Sequence, residues 1–192
     1  MATGKTPGAQ KKAESENRVM MYSDECGVYL LPFVRATWAP KGKTPCLREQ
    51  CGYDHLSIIG GISPHGNLIY WCRKCSFDGN ATADFLAFLS YCYRKHRLLV
   101  IWDGAKIHQS EAVKSFLADK PGNIHLERLP AYSPELNPIE LVWAYLKNTL
   151  ANRVFLNIDE LYQAVSIELE TIKNNRKLIQ SFFKKTEVGF FP

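Results

Sequence analysis

The chain has 192 residues, of which 46% are hydrophobic, and a formal net charge of +5. These values exclude a disordered chain and favour one domain with its own core. The apolar runs are too short for a transmembrane helix, and the polar N-terminus lacks a signal core, so we expect a cytoplasmic protein. The mild basicity permits a polyanionic partner without requiring one.

The first segment, residues 1–17, contains Gly, Pro and charged residues and is predicted to be a flexible tail. The ordered domain is expected over residues 18–192. Its first strand is the apolar run at residues 19–22. We expect Gly27 to turn the chain into a hairpin, with residues 28–33 as the returning strand.

The rest of the chain alternates strand and helix patterns. The run at residues 98–102 is apolar at every position, as in a central strand covered on both faces. The order predicts a mixed α/β architecture with helices on both sides of a sheet. The other predicted strands are 55–62, 67–72 and 124–129, and the helices are 81–95, 110–119, 138–152 and one or two between 158 and about 185.

Three carboxylates stand at the ends of these elements. Asp24 and Asp103 each follow an apolar strand, and Glu140 lies at the start of a strong helix. Carboxylates brought together suit hard cations such as Mg²⁺ or Mn²⁺, and two such ions about 4 Å apart can promote phosphodiester cleavage. Each residue also has an ordinary interpretation. Asp at a strand end is common turn chemistry, and Asn137, Pro138 and Glu140 match a helix-capping pattern.

Two other acidic residues compete for these positions. Glu25 adjoins Asp24, but neighbours in an extended strand point to opposite faces, so only one of them leads into a shared site. Glu135 precedes the start of the helix and is interpreted as a solvated turn residue.

Four motifs occur in a fixed order along the chain, and the last is the most specific. Together they closely resemble the catalytic domain of the Tc/mariner superfamily of DDE transposases, in the branch found in bacterial insertion sequences. The motifs are SDE at 23–25, WAPKG at 38–42, WDGAKIH at 102–108 and YSPELNPIELVW at 132–143.

The resemblance implies a ribonuclease H-like fold, with a mixed five-stranded sheet whose first three strands are antiparallel. It implies that Asp24, Asp103 and Glu140 are the catalytic residues and the ligands of two Mg²⁺ or Mn²⁺ ions. It also implies cleavage of DNA at transposon ends and strand transfer into target DNA, typically at TA sites.

The resemblance also implies partners. The active form is expected to be a homodimer, because paired transposon ends need paired active sites. A helix-turn-helix region that reads the terminal repeats has no room in residues 1–17. We therefore expect the DNA-reading half to be encoded separately, joined by frameshifting, or lost.

Several other residues are candidates for DNA contact. Lysines can bind phosphates and an exposed tryptophan can stack on a base, although a solvated loop and helix-entry or helix-end positions explain the same residues. For His108, the options are a DNA phosphate, an active-site water, or simple entry to a helix. The candidates are Trp38, Lys41, Lys43, His108 and Lys147.

Two alternatives remain open at this stage. Cys72 and Cys75 have zinc-like spacing and could pair with Cys46, Cys51 or His55, but free thiols are favoured. The chain could also be another ribonuclease H-like nuclease, or a non-catalytic remnant that binds DNA or protein.

Overall fold

The computed structural model describes residues 6–43, 45–47, 52–119, 122–130 and 133–186. Within this part of the chain, five strands form one sheet in the order β3-β2-β1-β4-β5. The first three are antiparallel neighbours, and β4 and β5 run parallel to β1. The mixed five-stranded sheet with its first three strands antiparallel is confirmed, whereas the strand order was not predicted. The strands are β1 (Arg18–Tyr29), β2 (His55–Ile62), β3 (Leu68–Arg73), β4 (Arg97–Trp102) and β5 (Ile124–Arg128).

Helices cover both faces of the sheet. On one face, α2 and α3 enclose a core with the strands, and on the other α1, α4, α5 and α6 enclose a second core. No helix in the described ranges is long and apolar enough to cross a membrane. The helices are α1 (Thr6–Ser15), α2 (Gly79–Cys92), α3 (Glu111–Asp119), α4 (Ile139–Thr149), α5 (Ile158–Lys173) and α6 (Arg176–Lys185), with short 3-10 helices at Lys106–Gln109 and Pro134–Leu136.

The alternation of side chains along β1 divides its residues between the two cores. Met21 is fully buried under α2, and Tyr22 is fully buried on the α4 face. Because the side-chain period of a strand is two, Asp24 lies on the α4 face with Tyr22, and Glu25 lies on the opposite face with Met21.

The predicted hairpin at Gly27 is wrong. Strand β1 continues through Gly27 to Tyr29, and its last residue pairs with His55 of β2. The backbone groups of this segment find their partners in β2, which arrives much later in the chain. No separate returning strand forms at residues 28–33.

The predicted flexible tail is also wrong for Thr6–Ser15, which form α1. Ala9 and Ala13, one helical turn apart, are buried against the α4-side core. The Lys12 ammonium lies 2.6 Å from Nε2 of His125 on β5. Two small apolar side chains on one stripe are therefore enough to dock a helix that is otherwise polar.

The helix predicted at 81–95 begins two residues earlier, at Gly79, because its N-cap is Asp78. The Asp78 carboxylate accepts a 2.8 Å hydrogen bond from the Ala81 N–H. Such a bond satisfies one of the free donors in the first turn of a helix.

Candidate active site

The three predicted carboxylates line one cleft beside the carboxyl end of β4. Tyr22 of β1 pairs with Ile101 of β4 across these parallel strands, and Asp24 and Asp103 each follow two residues later. Asp103 comes directly after the last residue of β4, whereas Asp24 lies within β1, not at its end as predicted, and still pairs with β2. The first turn of α4 adds Glu140. The cleft has a volume of about 420 Å³, and its remaining lining is Gly104, Ala105, Arg128, Leu129, Pro130, Ser133, Pro134 and Asn137.

Asp24 is held on the inner wall of this cleft. It is 9% exposed, and its Oδ2 accepts a hydrogen bond from the Trp143 indole nitrogen of α4 at 3.3 Å. Its partner across the sheet is Gly60. A Cβ at Gly60 would lie only 2.8 Å from the edge of the Trp143 ring. The missing side chain of Gly60 thus leaves the space in which Trp143 reaches Asp24.

The charges of the cleft act on the Asp24 carboxyl. Burial raises the pKa of Asp24 most, and the negative charges of Glu140, Glu25 and Asp103 raise it further, to about 7. A hydrogen bond from the Glu25 backbone N–H opposes them. The charges of Glu140 and Asp103 therefore reach Asp24, although the three residues come from distant parts of the sequence.

His108 connects Asp103 to Glu25. The Asp103 Oδ1 accepts a 2.9 Å hydrogen bond from the Ala105 N–H and lies 2.9 Å from Nδ1 of His108. The other ring nitrogen of His108 lies 3.0 Å from Oε1 of Glu25, and the ring stacks on Trp102 at 3.9 Å. His108 thus links Asp103 to Glu25, which lies on the opposite face of the sheet.

Two opposing effects act on His108, which is 6% exposed. Burial alone would lower the pKa of its imidazole. The hydrogen bond and charge of Glu25, together with Asp103, outweigh burial and raise that pKa above its usual value. The buried ring does not present itself to DNA, so its place favours a role inside the site over contact with a phosphate.

Glu140 does not cap its helix. Helix α4 begins at Ile139, its N-cap is Pro138, and the described residues form no side-chain capping hydrogen bond there. The capping-box interpretation is therefore wrong, since it placed Glu140 one position deeper in the helix. Glu140 is exposed to the cleft. Beside it, Asn137 is only 4% exposed, and its Oδ1 has no hydrogen-bond partner among the described residues.

The residues of the cleft fit a divalent cation in chemistry. The three carboxylates of the cleft, with the unpartnered buried oxygen of Asn137 beside them, form an oxygen-only donor set suited to Mg²⁺ or Mn²⁺. Within the described ranges, no three acidic, histidine or cysteine side chains are close enough together to surround one ion. The Asp103 carboxylate is turned towards Ala105 and His108, so it would have to share its oxygens with an ion.

Arg128 is the cleft residue that sequence reasoning missed. It is the last residue of β5, pairs with Trp102 of β4, and is exposed. Glu25 and Trp143 also acquire roles that the sequence did not indicate, since one was considered only as a rival ligand and the other as an apolar residue. No sequence signal marks Arg128, because only the parallel register of β5 with β4 places it beside Asp103.

The other predicted DNA contacts lie outside the cleft lining. Trp38 is 100% exposed, and Lys41 and Lys43 are exposed in the segment after β1. Lys147 is half-buried on α4 and lines a different, apolar pocket of about 310 Å³ beside residues 27–33. Burial raises the pKa of the neighbouring Cys26 thiol, and Lys147 opposes that shift. Their contact with DNA stays a prediction.

Four cysteines are free thiols where the structure describes them. They are Cys26, Cys72, Cys75 and Cys92. Cys51, one of the candidates for a second pair of zinc ligands, lies outside the described residues.

A family model described as DDE superfamily endonuclease matches residues 19–162, which include all three carboxylates. The chain belongs to the DDE superfamily endonucleases. The family prediction made from the four motifs is thereby confirmed, and so is its assignment to an endonuclease class.

Two protein relatives and two solved structures resemble this DDE endonuclease. An insertion element IS630 uncharacterized 39 kDa protein from Shigella sonnei is 25% identical over 82% of this chain and 46% of its own length. An uncharacterized protein of Sinorhizobium fredii is 40% identical over 54% of this chain and 75% of its own length.

The solved structures are of the mariner transposase Mos1. Its paired-end complex with Mg matches at 17% identity and a TM-score of 0.69, over 96% of this chain and 58% of the other. Its catalytic domain matches at 15% identity and a TM-score of 0.56, over 97% and 93%. The likeness confirms the ribonuclease H-like fold. The chain spans about half the length of the Shigella protein and of the Mos1 chain in the complex.

Proposed function

We propose that this chain is the catalytic domain of a transposase. It cuts DNA strands at transposon ends with the help of divalent metal ions, and it joins the freed 3′ ends to target DNA, with TA dinucleotides as the expected target. The convergence of Asp24, Asp103 and Glu140 on one cleft carries this proposal, because an endonuclease of this family needs its acidic residues together.

The residues have separate tasks in this proposal. Asp24, Asp103 and Glu140 would hold two Mg²⁺ or Mn²⁺ ions, which supply charge stabilisation and an activated water or hydroxyl for attack on phosphorus. Trp143 and the backbone of β1 fix Asp24 on the rigid centre of the sheet. His108 and Glu25 orient the Asp103 carboxylate. Rigid carriers of this kind keep a site in its working geometry.

The decisive experiment compares metal-dependent cleavage of transposon-end DNA by the natural chain and by Asp103→Asn. We expect the variant to lose at least about 100-fold in cleavage rate, since even the loss of a metal site's outer partners costs up to that factor. Asp84→Asn, an exposed residue of α2, is the matched control and should cleave normally. Equal cleavage by the natural chain and Asp103→Asn would refute the proposal.

The partners follow from this function and are part of the same proposal. The chain acts on DNA in the cytoplasm or nucleoid as a homodimer, and a separate or fused segment reads the terminal repeats. Mos1 supports this view, because its solved complexes hold paired transposon ends. Tight, repeat-specific binding by this chain alone would contradict the need for another DNA-reading part.

A further inference from the structure

Arg128 is a free cation at the rim of an acidic cleft. Its partner strand is β4, and the Leu129 N–H donates a 2.8 Å hydrogen bond to the Trp102 carbonyl, which holds the end of β5 next to the Asp103 turn. Within the described part of the chain, Arg128 forms no ion pair or hydrogen bond through its side chain. An exposed guanidinium without such partners is available to bind an anion that enters the cleft.

Gly104 provides the place where that guanidinium rests. A Cβ built at Gly104 would overlap the Arg128 guanidinium at Nη2, Cζ and Nε. The backbone of Gly104 is not in the left-handed region. Space for Arg128, rather than backbone conformation, therefore accounts for a glycine directly after Asp103.

We propose that Arg128 binds a phosphate of the DNA strand that enters the cleft, and that Gly104 sets the position of its guanidinium. The planar fork of an arginine matches two phosphate oxygens, and the lining of the cleft otherwise carries negative charge. Among the lining residues of the cleft, Arg128 carries the positive charge that attracts a DNA phosphate directly. This inference rests on the proposed function, since it names a contact with the substrate of the same site.

The test measures binding to a 20-base-pair DNA duplex from 50 to 200 mM NaCl, in Ca²⁺ to favour binding without cleavage. Loss of one phosphate contact lowers the slope of log affinity against log salt by about 0.9. We expect Arg128→Ala to show that loss and Arg128→Lys a smaller one. Arg97→Ala is the matched control, because Arg97 is an exposed arginine at the opposite end of the neighbouring strand.

Gly104→Ala supplies a second, independent variant. The new methyl group displaces only the end of a flexible side chain, so the protein should fold with an unchanged Tm. We expect part of the slope loss of Arg128→Ala, and no added loss when the two changes are combined, because both act on one contact. A loss in Gly104→Ala that adds fully to that of Arg128→Ala would overturn the role given to Gly104.

The outcomes separate this inference from the proposed function. If the natural chain cleaves DNA but Arg128→Ala and Arg97→Ala have the same slope as the natural chain, the Arg128 inference is wrong. If Arg128→Ala alone lowers the slope but no DNA is cleaved, the inference stands and the cleavage proposal fails. Failure of the natural chain to bind the duplex at 50 mM NaCl would contradict both.

Discussion

At the scale of single residues, the carboxyl of Asp24 is both buried and close to other negative charges. Its pKa is about 7 in the folded chain, well above its ordinary value of 3.8, so the folded state binds the proton more tightly than the unfolded state does. The free energy of unfolding therefore falls as the pH rises from about 4 to 7, and it levels off above that range. Above about pH 4, keeping the Asp24 carboxyl buried in the cleft therefore lowers the free energy of unfolding.

Asp24→Asn should remove this cost. In metal-free buffer at pH 8 we expect the variant to be more stable than the natural chain by up to about 4 kcal/mol, since each pKa unit corresponds to about 1.4 kcal/mol. Near pH 4 the two should be equally stable. Urea unfolding across this pH range measures the difference, with the exposed Asp84→Asn as the control. A difference that does not change with pH would contradict the assignment to Asp24.

His108 allows a test of how Asp103 is oriented. Without the imidazole, the Asp103 carboxylate keeps only its bond from Ala105 and can rotate away. We expect His108→Ala to need a higher Mg²⁺ concentration for half-maximal cleavage and to lose about 10- to 100-fold in rate at low Mg²⁺, as is usual for groups behind metal ligands.

The Mg²⁺ dependence distinguishes positioning from general damage to the fold. Glu25→Gln, which keeps a hydrogen-bonding group beside His108, should fall between the natural chain and His108→Ala. His96→Ala, an exposed histidine before β4, should behave normally. An unchanged Mg²⁺ requirement in His108→Ala would show that the bridge does not serve Asp103.

At the scale of elements, the contact between β2 and α4 fixes the inner wall of the cleft. Gly60→Ala would place a methyl group 2.8 Å from the Trp143 ring, within a packed core that has little room to adjust. We expect a loss of about 1–3 kcal/mol in the free energy of unfolding, the usual cost of overpacking. Urea unfolding measures the loss.

Gly27→Ala is the matched control for that change. Its added methyl group would meet the Tyr29 ring at 3.4 Å, which is an ordinary contact, and Gly27 also lies within a strand. Comparable losses in the two variants would mean that replacing any strand glycine, and not the Trp143 contact, accounts for the effect.

Elements with strong local patterns were predictable, and those that depend on distant partners were not. The apolar run at residues 98–102 predicts a buried strand, which the structure contains as β4. The turn predicted at Gly27 does not form, because the partner that keeps β1 extended lies in β2, beyond a long connecting segment. Helix α1 was missed because alanines provide a weak hydrophobic signal.

At the scale of the whole molecule, the site depends on strand order, which local sequence does not contain. The residues show that Asp24 and Asp103 follow apolar runs, but not that the two strands are neighbours. The motif resemblance is what predicts that both residues belong to one site. It also adds Glu140 to that site, although the residues around Glu140 favour a helix cap. Neither the local sequence nor the motif resemblance predicts the position of Arg128 or the contacts of His108 with Asp103 and Glu25. These features depend on the register of β5 and on which face of β1 carries Glu25.

The parallel pairing of β1 with β4 has a consequence for how the protein folds. Parallel strands are joined only after the chain between them has been placed, and such distant contacts form slowly. Asp24 meets Asp103 through this pairing, and Glu140 joins them once α4 packs against β1. An unfolded chain therefore carries three separated carboxylates, and the acidic cleft exists only once these long-range contacts have formed.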